Sequence, residues 1–419
     1  MSLRGGAASR RAPVRAGLDQ LLRRPSVLGG LRLGLVANPS SVTGRLEHAA
    51  LALRAMRALK LRALFGPEHG IWADAQDLVE VDDSRDPKTG LRVFSLYGRT
   101  RVPSPEMLAG LDAVVFDVQD VGARYYTFAY TLLHVMEACA RERRRVVVLD
   151  RPNPLGGVVV EGNLLDPAFA SFVGLHPLPV RHGMTVGELA LLFREERGLD
   201  VDLTVIRMKG WRREMGFEAT GLPWVMPSPN IPTVDTAVVY PGGCLVEGTN
   251  LSEGRGTTRP FELVGAPWLD PWALAADLGR ERIPGVSFRP VYFTPTFHKH
   301  AGKACGGVQA HVIDRRRFPA YLAYLLVLFH ARRQDPRKFA WRKPPYEYER
   351  VKLPIDILCG TDRIRLAIEN GESPRRLEPS WRKELAAFRR RREPFLLYRG
   401  VRAPPTTRER GRLDTWAAV

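Results

Sequence analysis

Short runs of consecutive apolar residues alternate, from residue 31 onward, with longer segments in which apolar residues recur every three or four positions. The first pattern indicates strands buried on both faces, and the second indicates amphipathic helices. The predicted strands are Leu31–Ala37, Leu61–Phe65, Leu91–Leu96, Ala113–Phe116, Arg145–Leu149 and Val158–Val160. The predicted helices are Leu46–Leu59, Pro105–Ala109, Thr127–Arg141 and Val186–Glu196. Helices between successive strands predict right-handed crossovers and a doubly wound α/β sheet.

Beyond about residue 200 the pattern changes, and proline- and glycine-rich connections separate the apolar runs. The predicted strands of this part are Val201–Arg207, Ala237–Tyr240, Ser287–Phe293 and Val308–Ile313. Two further helices are predicted at Arg316–Arg332 and Glu378–Arg392. The second half therefore predicts a smaller region of mixed α+β structure.

The charge of the chain is concentrated at its two ends. Its 419 residues contain 63 Lys and Arg against 45 Asp and Glu, a net charge of +18. Residues 1–32 carry +6 and residues 375–419 carry +8, which leaves +4 for the long middle. A nucleic-acid-binding face needs clustered basic residues with aromatic or groove-reading elements, so we expect no specific nucleic-acid partner.

Localisation is predicted from what the sequence lacks. No apolar run approaches the roughly 20 residues of a membrane-spanning helix, so we expect no membrane insertion. The basic N-terminal segment has no apolar stretch of the kind that a secretory signal needs, and we expect a cytoplasmic protein. A start codon upstream of Met1 would change that expectation. Four widely spaced cysteines argue against a disulfide framework or a zinc knuckle.

The residues that follow the predicted strands are the first candidates for chemistry, because ligands of doubly wound sheets bind beyond the carboxyl ends of the strands. They include Asn38, Glu68, His69, Asp117, Asp120, Arg124, Tyr125, Asn153 and Glu161. Asn and Asp are also ordinary turn residues, so a structural role for Asn38 and Asn153 is an equal alternative. Glu has no comparable turn or N-cap preference, which makes Glu68 the stronger candidate.

A second set of candidates lies in a long loop at residues 242–260, which is rich in glycine and polar residues. Such a composition suits a ligand-binding loop. We expect it to bring four side chains to a ligand, namely Asn250, Glu253, Arg255 and Thr257.

Motifs of several well-known sites are absent. The chain has no G-x-G-x-x-G after a strand and no P-loop, so we expect no nucleotide cofactor. It has no G-x-S-x-G nucleophile motif either. His298 and His300 form a close histidine pair, but no third ligand can be assigned, so we expect no bound metal.

What remains is carboxylate chemistry. Glu68 and Glu161, with Asp117 and Asp120 between them along the chain, would place two carboxyl groups across a cleft. Glycosidic bond cleavage uses such a pair, one as proton donor and one as base or nucleophile. The spacing of these residues alone does not favour a glycosidase site over a generic ligand-binding cleft.

Several blocks of the sequence match one family in a single register, from about residue 31 to Tyr398. The chain resembles the NamZ-type exo-β-N-acetylmuramidases of glycoside hydrolase family 171. The matching blocks are Ala37–Ser40, Leu64–Gly70, Ser95–Gly98, Phe116–Thr127, Leu149–Gly157, Val160–Gly162, Pro179–Thr185, Pro227–Asn230, Glu247–Pro260, Phe293–His300 and Cys305–Gln309.

The resemblance implies a Rossmann-like catalytic domain at residues 31–236 and a substrate-binding domain at 237–398. A basic flexible N-terminus (1–30) and a basic tail (399–419) would flank them. It also implies release of N-acetylmuramic acid from the non-reducing ends of peptidoglycan fragments, with Glu68 and Glu161 catalytic. Expected substrate contacts are Asn38, His69, Asp117, Asp120, Arg124, Tyr125, Asn230, Asn250, Glu253, Arg255, Thr257 and His298.

Three questions stay open at this stage. The second carboxyl group could come from Glu161, Asp120 or Glu253. The lactyl carboxylate of N-acetylmuramic acid needs a cation, for which Arg255, Arg259 and Arg124 are candidates. Two alternative functions are a non-catalytic muropeptide or sugar binder and a metal-dependent amidohydrolase that uses His298 and His300.

Overall fold

A computed structural model describes residues 13–72 and 82–398. Its strands are β1 (Arg32–Ala37), β2 (Lys60–Gly66), β3 (Ser84–Arg85), β4 (Arg92–Ser95), β5 (Ala113–Asp117), β6 (Arg145–Leu149), β7 (Glu161–Leu164), β8 (Pro179–Arg181), β9 (Leu203–Ile206), β10 (Leu263–Ala266), β11 (Val286–Phe293) and β12 (Cys305–Val312). Its α-helices are α1 (Gly17–Arg23), α2 (Ala49–Ala55), α3 (Pro105–Leu108), α4 (Phe128–Arg141), α5 (Val186–Glu196), α6 (Val234–Gly243), α7 (Pro271–Arg280), α8 (Ala320–Gln334), α9 (Pro354–Cys359), α10 (Arg363–Glu369) and α11 (Glu378–Arg392). In the described part of the chain, no helix is long and apolar enough to cross a membrane.

Seven strands form the main sheet, in the order β3-β4-β2-β1-β5-β6-β9. All neighbours pair in parallel except β3 with β4. The six parallel strands, counted along the chain, stand in the order 3-2-1-4-5-6, which is the Rossmann order. The predicted doubly wound α/β fold is therefore confirmed, and its switch point lies between β1 and β5.

Two of the predicted strands are absent from the main sheet. The run at Ala237–Tyr240 lies within α6, because Thr233 caps that helix and Thr236 to Gly243 are buried on all sides. A short apolar run has no periodicity that separates a buried helix from a strand. The run at Val158–Val160 forms no strand, and β7 begins just after it, at Glu161, in a separate two-stranded sheet with β8.

The first described residues are folded rather than part of a flexible extension. In α1, Leu18 and Leu21 are buried in the cluster that also contains Leu149 of β6, and the amide of Gly17 donates to the carbonyl of Asp150 at 2.8 Å. At the other end of the chain, the Tyr398 hydroxyl donates to Asp150 Oδ2 at 2.6 Å. The basic segments at 1–12 and 399–419 lie outside the described residues.

The second half builds a three-stranded antiparallel sheet, β10-β12-β11, packed against α7, and α7 in turn contacts α8. Helix α8 is buried from Ala320 to Ala331, so it forms the centre of this half. One hydrophobic cluster contains residues of both halves, from Val36 of β1 to Phe388 of α11. The predicted smaller α+β region therefore shares a continuous core with the main sheet.

A buried arginine ties the two halves together. Arg124 is only 1 % exposed, and its guanidinium donates to the carbonyl groups of Leu358 at 2.9 Å and Cys359 at 2.8 Å. Its other terminal nitrogen donates to the carbonyl groups of Asn163 and Leu178, both at 2.9 Å. Arg124 thus holds α9 against the loops of the main sheet, and this contradicts its assignment as a substrate contact.

Arg124→Met should destabilise the protein without a selective effect on any ligand. Four buried carbonyl groups would lose their donor, and we expect the free energy of unfolding to fall by about 3 kcal/mol, as for other buried charged groups that lose a partner. Urea denaturation measures this change. Arg259→Met is the matched control, because the Arg259 side chain is 46 % exposed and forms an ion pair with Glu262 at the surface. A variant as stable as the control would contradict this role of Arg124.

Candidate active site

A cleft lies beyond the carboxyl ends of β2 and β5, between the main sheet and the second half of the chain. Its cavity volume is about 40 Å³, so the cleft is narrow. Its position beside the switch point is typical of ligand sites in doubly wound sheets. The lining residues are Glu68, His69, Tyr125, Tyr126, Thr127, Val173, Ser228, Asn230, Ile231, Tyr240, Glu247, Arg255, Phe261, Tyr346 and Glu347.

A tight turn after β2 presents Glu68. The amide of Gly70 donates to the carbonyl of Pro67 at 2.9 Å, and His69, the third residue of this turn, has a φ of +68°. A residue with positive φ at that position is the mark of a type II turn, in which glycine or asparagine is usual. A Cβ on Gly66 would lie 2.9 Å from the amide nitrogen of Ile71, so the chain reverses here in very little space. The turn places Glu68 at its tip, buried to 7 % exposure.

The hydroxyl of Thr127 fixes the orientation of the Glu68 carboxyl group. Thr127 is the N-cap residue of α4, but its hydroxyl donates to Glu68 Oε2 at 2.5 Å instead of accepting from its own helix. The N-terminus of this 14-residue helix therefore lies next to a carboxyl group.

Two more carboxyl groups enter the cleft from the second half of the chain. Glu347 accepts a hydrogen bond from the Tyr97 hydroxyl at 3.2 Å. Burial, together with the negative charges of Glu68 and Glu347, raises the pKa of Tyr97 far above its usual value. The hydroxyl thus stays protonated, and both carboxyl groups lie within electrostatic range of it. Glu247 accepts from the Tyr346 hydroxyl at 2.6 Å.

Arg255 is the only arginine or lysine that lines the cleft among the residues described here. Its guanidinium lies 3.1 Å from Glu247 and 2.9 Å from Glu253. Glu253 is fully buried and also contacts Lys299 at 2.9 Å and His298 at 3.1 Å. Burial alone would raise the pKa of Glu253, but these neighbouring cations outweigh it and hold the pKa well below its usual range.

Five of the residues predicted from the sequence meet in this cleft: Glu68, His69, Tyr125, Asn230 and Arg255. Three others brace the loops beneath it. Asn38 donates to the carbonyl of Pro227 at 2.8 Å, and Asp117 forms a bidentate ion pair with Arg151. Asp120 accepts from the amide of Gly122, and burial raises the pKa of Asp120 to about 7.

The predicted residues of the polar loop lie behind the cleft, apart from Arg255. Asn250 bridges to the backbone of Lys338 and Ala340, and Thr257 donates to the carbonyl of Gly254. Glu253 and His298 support Arg255 from behind. These side chains shape the loop, because their partners belong to the protein itself.

Glu161 does not line the cleft. As the first residue of β7 it points toward α8, where its Oε1 accepts from the amide of Tyr321 at 2.7 Å. Burial raises the pKa of Glu161 to about 7. The sequence predicted Glu161 at the end of a strand of the main sheet. That strand does not form, so Glu161 lies outside the cleft.

Sequence reasoning missed eight polar or aromatic residues of the cleft, one of which is Phe261, directly after the polar loop at residues 242–260. Two of them, Glu247 and Ser228, lie inside blocks that the family resemblance already marked, and so do Tyr126 and Thr127. Tyr240 was hidden in the run predicted as a strand. Tyr346 and Glu347 follow a Pro-Pro pair and carry no motif, so only the folded structure reveals them.

The histidine pair has separate partners. His298 contacts Glu253, whereas His300 Nε2 lies 2.7 Å from the carbonyl oxygen of Asn250. Within residues 13–72 and 82–398, no three His, Cys, Asp or Glu side chains group together as a metal-ligand set.

Two family sequence models match the chain. The model described as "Exo-beta-N-acetylmuramidase NamZ, N-terminal" matches residues 33–235, and its C-terminal counterpart matches residues 238–398. A peptidoglycan β-N-acetylmuramidase NamZ of Bacillus subtilis strain 168 is 46 % identical over 391 residues, which cover 93 % of this chain and 92 % of that protein.

Two solved structures are similar as well, both of DUF1343 family proteins from Bacteroides fragilis NCTC 9343. The first has a TM-score of 0.84 and 34 % identity, and the alignment covers 93 % of this chain and all of the other. The second has a TM-score of 0.70 and 30 % identity over the same shares of both chains.

Glu253→Gln should lower stability in a pH-dependent way. A carboxyl group whose folded pKa is depressed contributes stability above its unfolded pKa and loses that contribution as the pH falls through the folded value. We expect the free energy of unfolding to fall by about 3 kcal/mol at pH 7, because two buried cations lose their counter-charge. The difference in free energy of unfolding between wild type and variant should narrow below about pH 4.5. Urea denaturation between pH 3 and pH 7 measures both effects.

Glu384→Gln, an exposed position on α11, is the matched control. A difference between wild type and Glu253→Gln that stays constant with pH would show that Glu253 is not held as an anion.

Proposed function

Because the chain belongs to the family of NamZ exo-β-N-acetylmuramidases, we propose that it is a glycoside hydrolase that releases N-acetylmuramic acid from the non-reducing ends of peptidoglycan fragments. The observation that carries this proposal is the cleft, in which Glu68 faces two further carboxyl groups and one arginine. Carboxylate pairs are the chemistry that glycosidic cleavage requires. Aromatic side chains around them, such as Tyr125, Tyr126 and Tyr240, suit the apolar faces of a sugar ring.

Glu68 and Glu347 are the best candidates for the reacting pair. Both lie within electrostatic range of the Tyr97 hydroxyl, and they reach the cleft from opposite halves of the chain. Glu247 is less suited, because Arg255 and Tyr346 each occupy one of its oxygens. One carboxyl group of the pair would protonate the departing glycosidic oxygen, while the other, as a carboxylate, attacks the anomeric carbon or activates water.

We assign the carboxylate role to Glu68, because the Thr127 hydroxyl at the N-terminus of α4 holds its carboxyl group in one orientation. Glu347 is then the proton donor. Glu347 also lines a second cavity next to the cleft, and in this proposal the rest of the glycan lies on that side.

Glu68→Gln should lower kcat by at least the hundredfold typical of losing an acid-base group, with the melting temperature little changed. Glu347→Gln should show an equal loss with a sugar leaving group, but a smaller loss with nitrophenyl muramide, whose leaving group needs no proton. Release of muramic acid and of nitrophenol measures the two rates.

Glu161→Gln is the matched control, since it is the same change at a buried glutamate outside the cleft. If Glu161→Gln abolishes turnover while Glu347→Gln does not, the pair is Glu68 and Glu161, as the sequence resemblance implied. If Glu68→Gln stays active, the cleft is not the catalytic site.

Arg255 is the best candidate for recognition of the lactyl carboxylate. N-acetylmuramic acid differs from N-acetylglucosamine by a lactyl ether that carries this charge. Arg255 lines the cleft, whereas Arg124 is buried on backbone carbonyl groups and Arg259 is exposed and paired with Glu262. Its guanidinium is held in place by Glu247 and Glu253, so its position is set before the substrate arrives.

Arg255→Lys should narrow the preference for muramide over glucosaminide substrates by about tenfold, because lysine keeps the charge but loses the planar fork that binds both carboxylate oxygens. The measurement is the ratio of kcat/KM values for the two nitrophenyl sugars. Arg259→Lys, in the same loop, is the control and should leave the ratio unchanged. An equal loss of both activities in Arg255→Lys would assign the lactyl contact elsewhere.

A further inference from the structure

The turn that carries Glu347 is strained in an unusual way. The amide of Tyr346 donates to the carbonyl of Glu349, and the reverse hydrogen bond is also present, both at 2.9 Å. These two bonds close a two-residue hairpin turn whose central residues are Glu347, with a φ of +46°, and Tyr348, with a φ of +66°. Turns of this kind require positive φ at both positions, and Asn-Gly is the usual pair.

Two large side chains therefore stand where the backbone favours asparagine and glycine. The left-handed conformation costs conformational free energy for residues with a Cβ, so these two side chains are held against a local preference. Glu347 is explained by the cleft that it lines. Tyr348 has no place in that cleft and needs a separate explanation.

Tyr348 lines a second cavity that adjoins the cleft. This outer cavity has a volume of about 610 Å³ and is lined by Tyr97, Arg342, Pro345, Tyr346, Glu347, Tyr348 and Arg350. It shares Tyr346 and Glu347 with the cleft, so the strained turn is the boundary between the two.

The ring of Tyr348 is fixed in position. The guanidinium of Arg101 lies 4.0 Å from its centroid, and the rings of Tyr97 and Phe172 meet it edge to face at 5.7 Å and 6.1 Å. The residue is nevertheless 40 % exposed. A clamped but exposed aromatic ring at the mouth of a cleft is a preorganised surface for the face of a sugar ring.

The outer cavity is also cationic. Arg342 stacks on Tyr346 at 5.0 Å from its ring centroid, and Arg350 is exposed at the rim. Arg342 is braced by stacking, so Arg350 is the side chain that can move to meet an anion.

We propose that this outer cavity binds the leaving part of the substrate: Tyr348 supports the N-acetylhexosamine ring next to the scissile bond, and Arg350 binds a carboxylate further along the glycan. This inference rests on the proposed function and extends it from the terminal sugar to the chain behind it. It follows from the order of the two cavities, since an enzyme that removes end sugars must hold the remainder of the chain outside the reacting cleft. The position of Glu347 between the cavities agrees with its role as proton donor to the departing oxygen.

The test compares three substrates that differ only in what departs. They are nitrophenyl muramide, the disaccharide of N-acetylmuramic acid linked to N-acetylglucosamine, and the tetrasaccharide that repeats this unit. Tyr348→Gly should lower kcat/KM for the disaccharide at least tenfold more than for the nitrophenyl sugar. The same variant should keep a melting temperature close to the wild-type value, because glycine relieves the positive φ while the ring contacts with Arg101, Tyr97 and Phe172 are lost.

A selective loss of disaccharide turnover in a variant that stays folded separates a binding role from a structural one. Tyr348→Phe should keep the wild-type ratio of kcat/KM for the disaccharide to kcat/KM for the nitrophenyl sugar, because it keeps the ring. Tyr292→Gly, at another exposed tyrosine with 62 % exposure on β11, is the matched control and should leave the ratio unchanged. Arg350→Ala should lower kcat/KM for the tetrasaccharide, which carries a second lactyl carboxylate, more than for the disaccharide.

The outcomes keep the two proposals apart. If the wild type cleaves none of the three substrates, the proposed function fails and this inference fails with it. If the wild type cleaves all three and Tyr348→Gly lowers every rate in equal proportion, only the inference is overturned. If Arg350→Ala affects disaccharide and tetrasaccharide equally, the cavity binds a sugar ring but no anion.

Discussion

The cleft depends on two halves of the chain that are held in a fixed relation, and a buried arginine adds to the shared core in holding them. The Arg124 guanidinium is buried away from water, and it donates instead to carbonyl groups of both halves. A guanidinium in such surroundings is costly unless its donors are used, so the loops of the main sheet and the end of α9 are drawn to one point. Tyr125, the next residue, is thereby fixed in the wall of the cleft.

The charged side chains next to the cleft are also paired with partners inside the protein. Arg255 and Lys299 face Glu253 and Glu247, which makes a compact network with little net charge. Such a network is sensitive to the loss of any member, because each remaining ion would stay buried without a partner. It also leaves the cleft-facing part of Arg255 fixed before substrate enters, which reduces the entropy lost on binding.

The sequence was sufficient for the sheet and for one side of the cleft. Glu68 was identified because its strand was predicted correctly and because a glutamate has no ordinary reason to occupy that turn. Glu161 was misplaced because its predicted strand does not form. Arg124 and Asp117 sit at strand ends as expected, yet burial turns them into braces, and burial cannot be counted from a single sequence.

The residues on the opposite side of the cleft could not be predicted from the sequence, for a different reason. Nine described non-glycine residues have positive φ, and three of them, His69, Phe261 and Glu347, line the cleft. Two more, His298 and Tyr348, contact its supporting network or its mouth. At a position with positive φ, the backbone preference disfavours the residue type that is present. A sequence-based prediction relies on such preferences, so it does not find these positions. The concentration of strained residues around one cavity is therefore independent support for that cavity as the working site, since their conformations are held only by the packing that forms it.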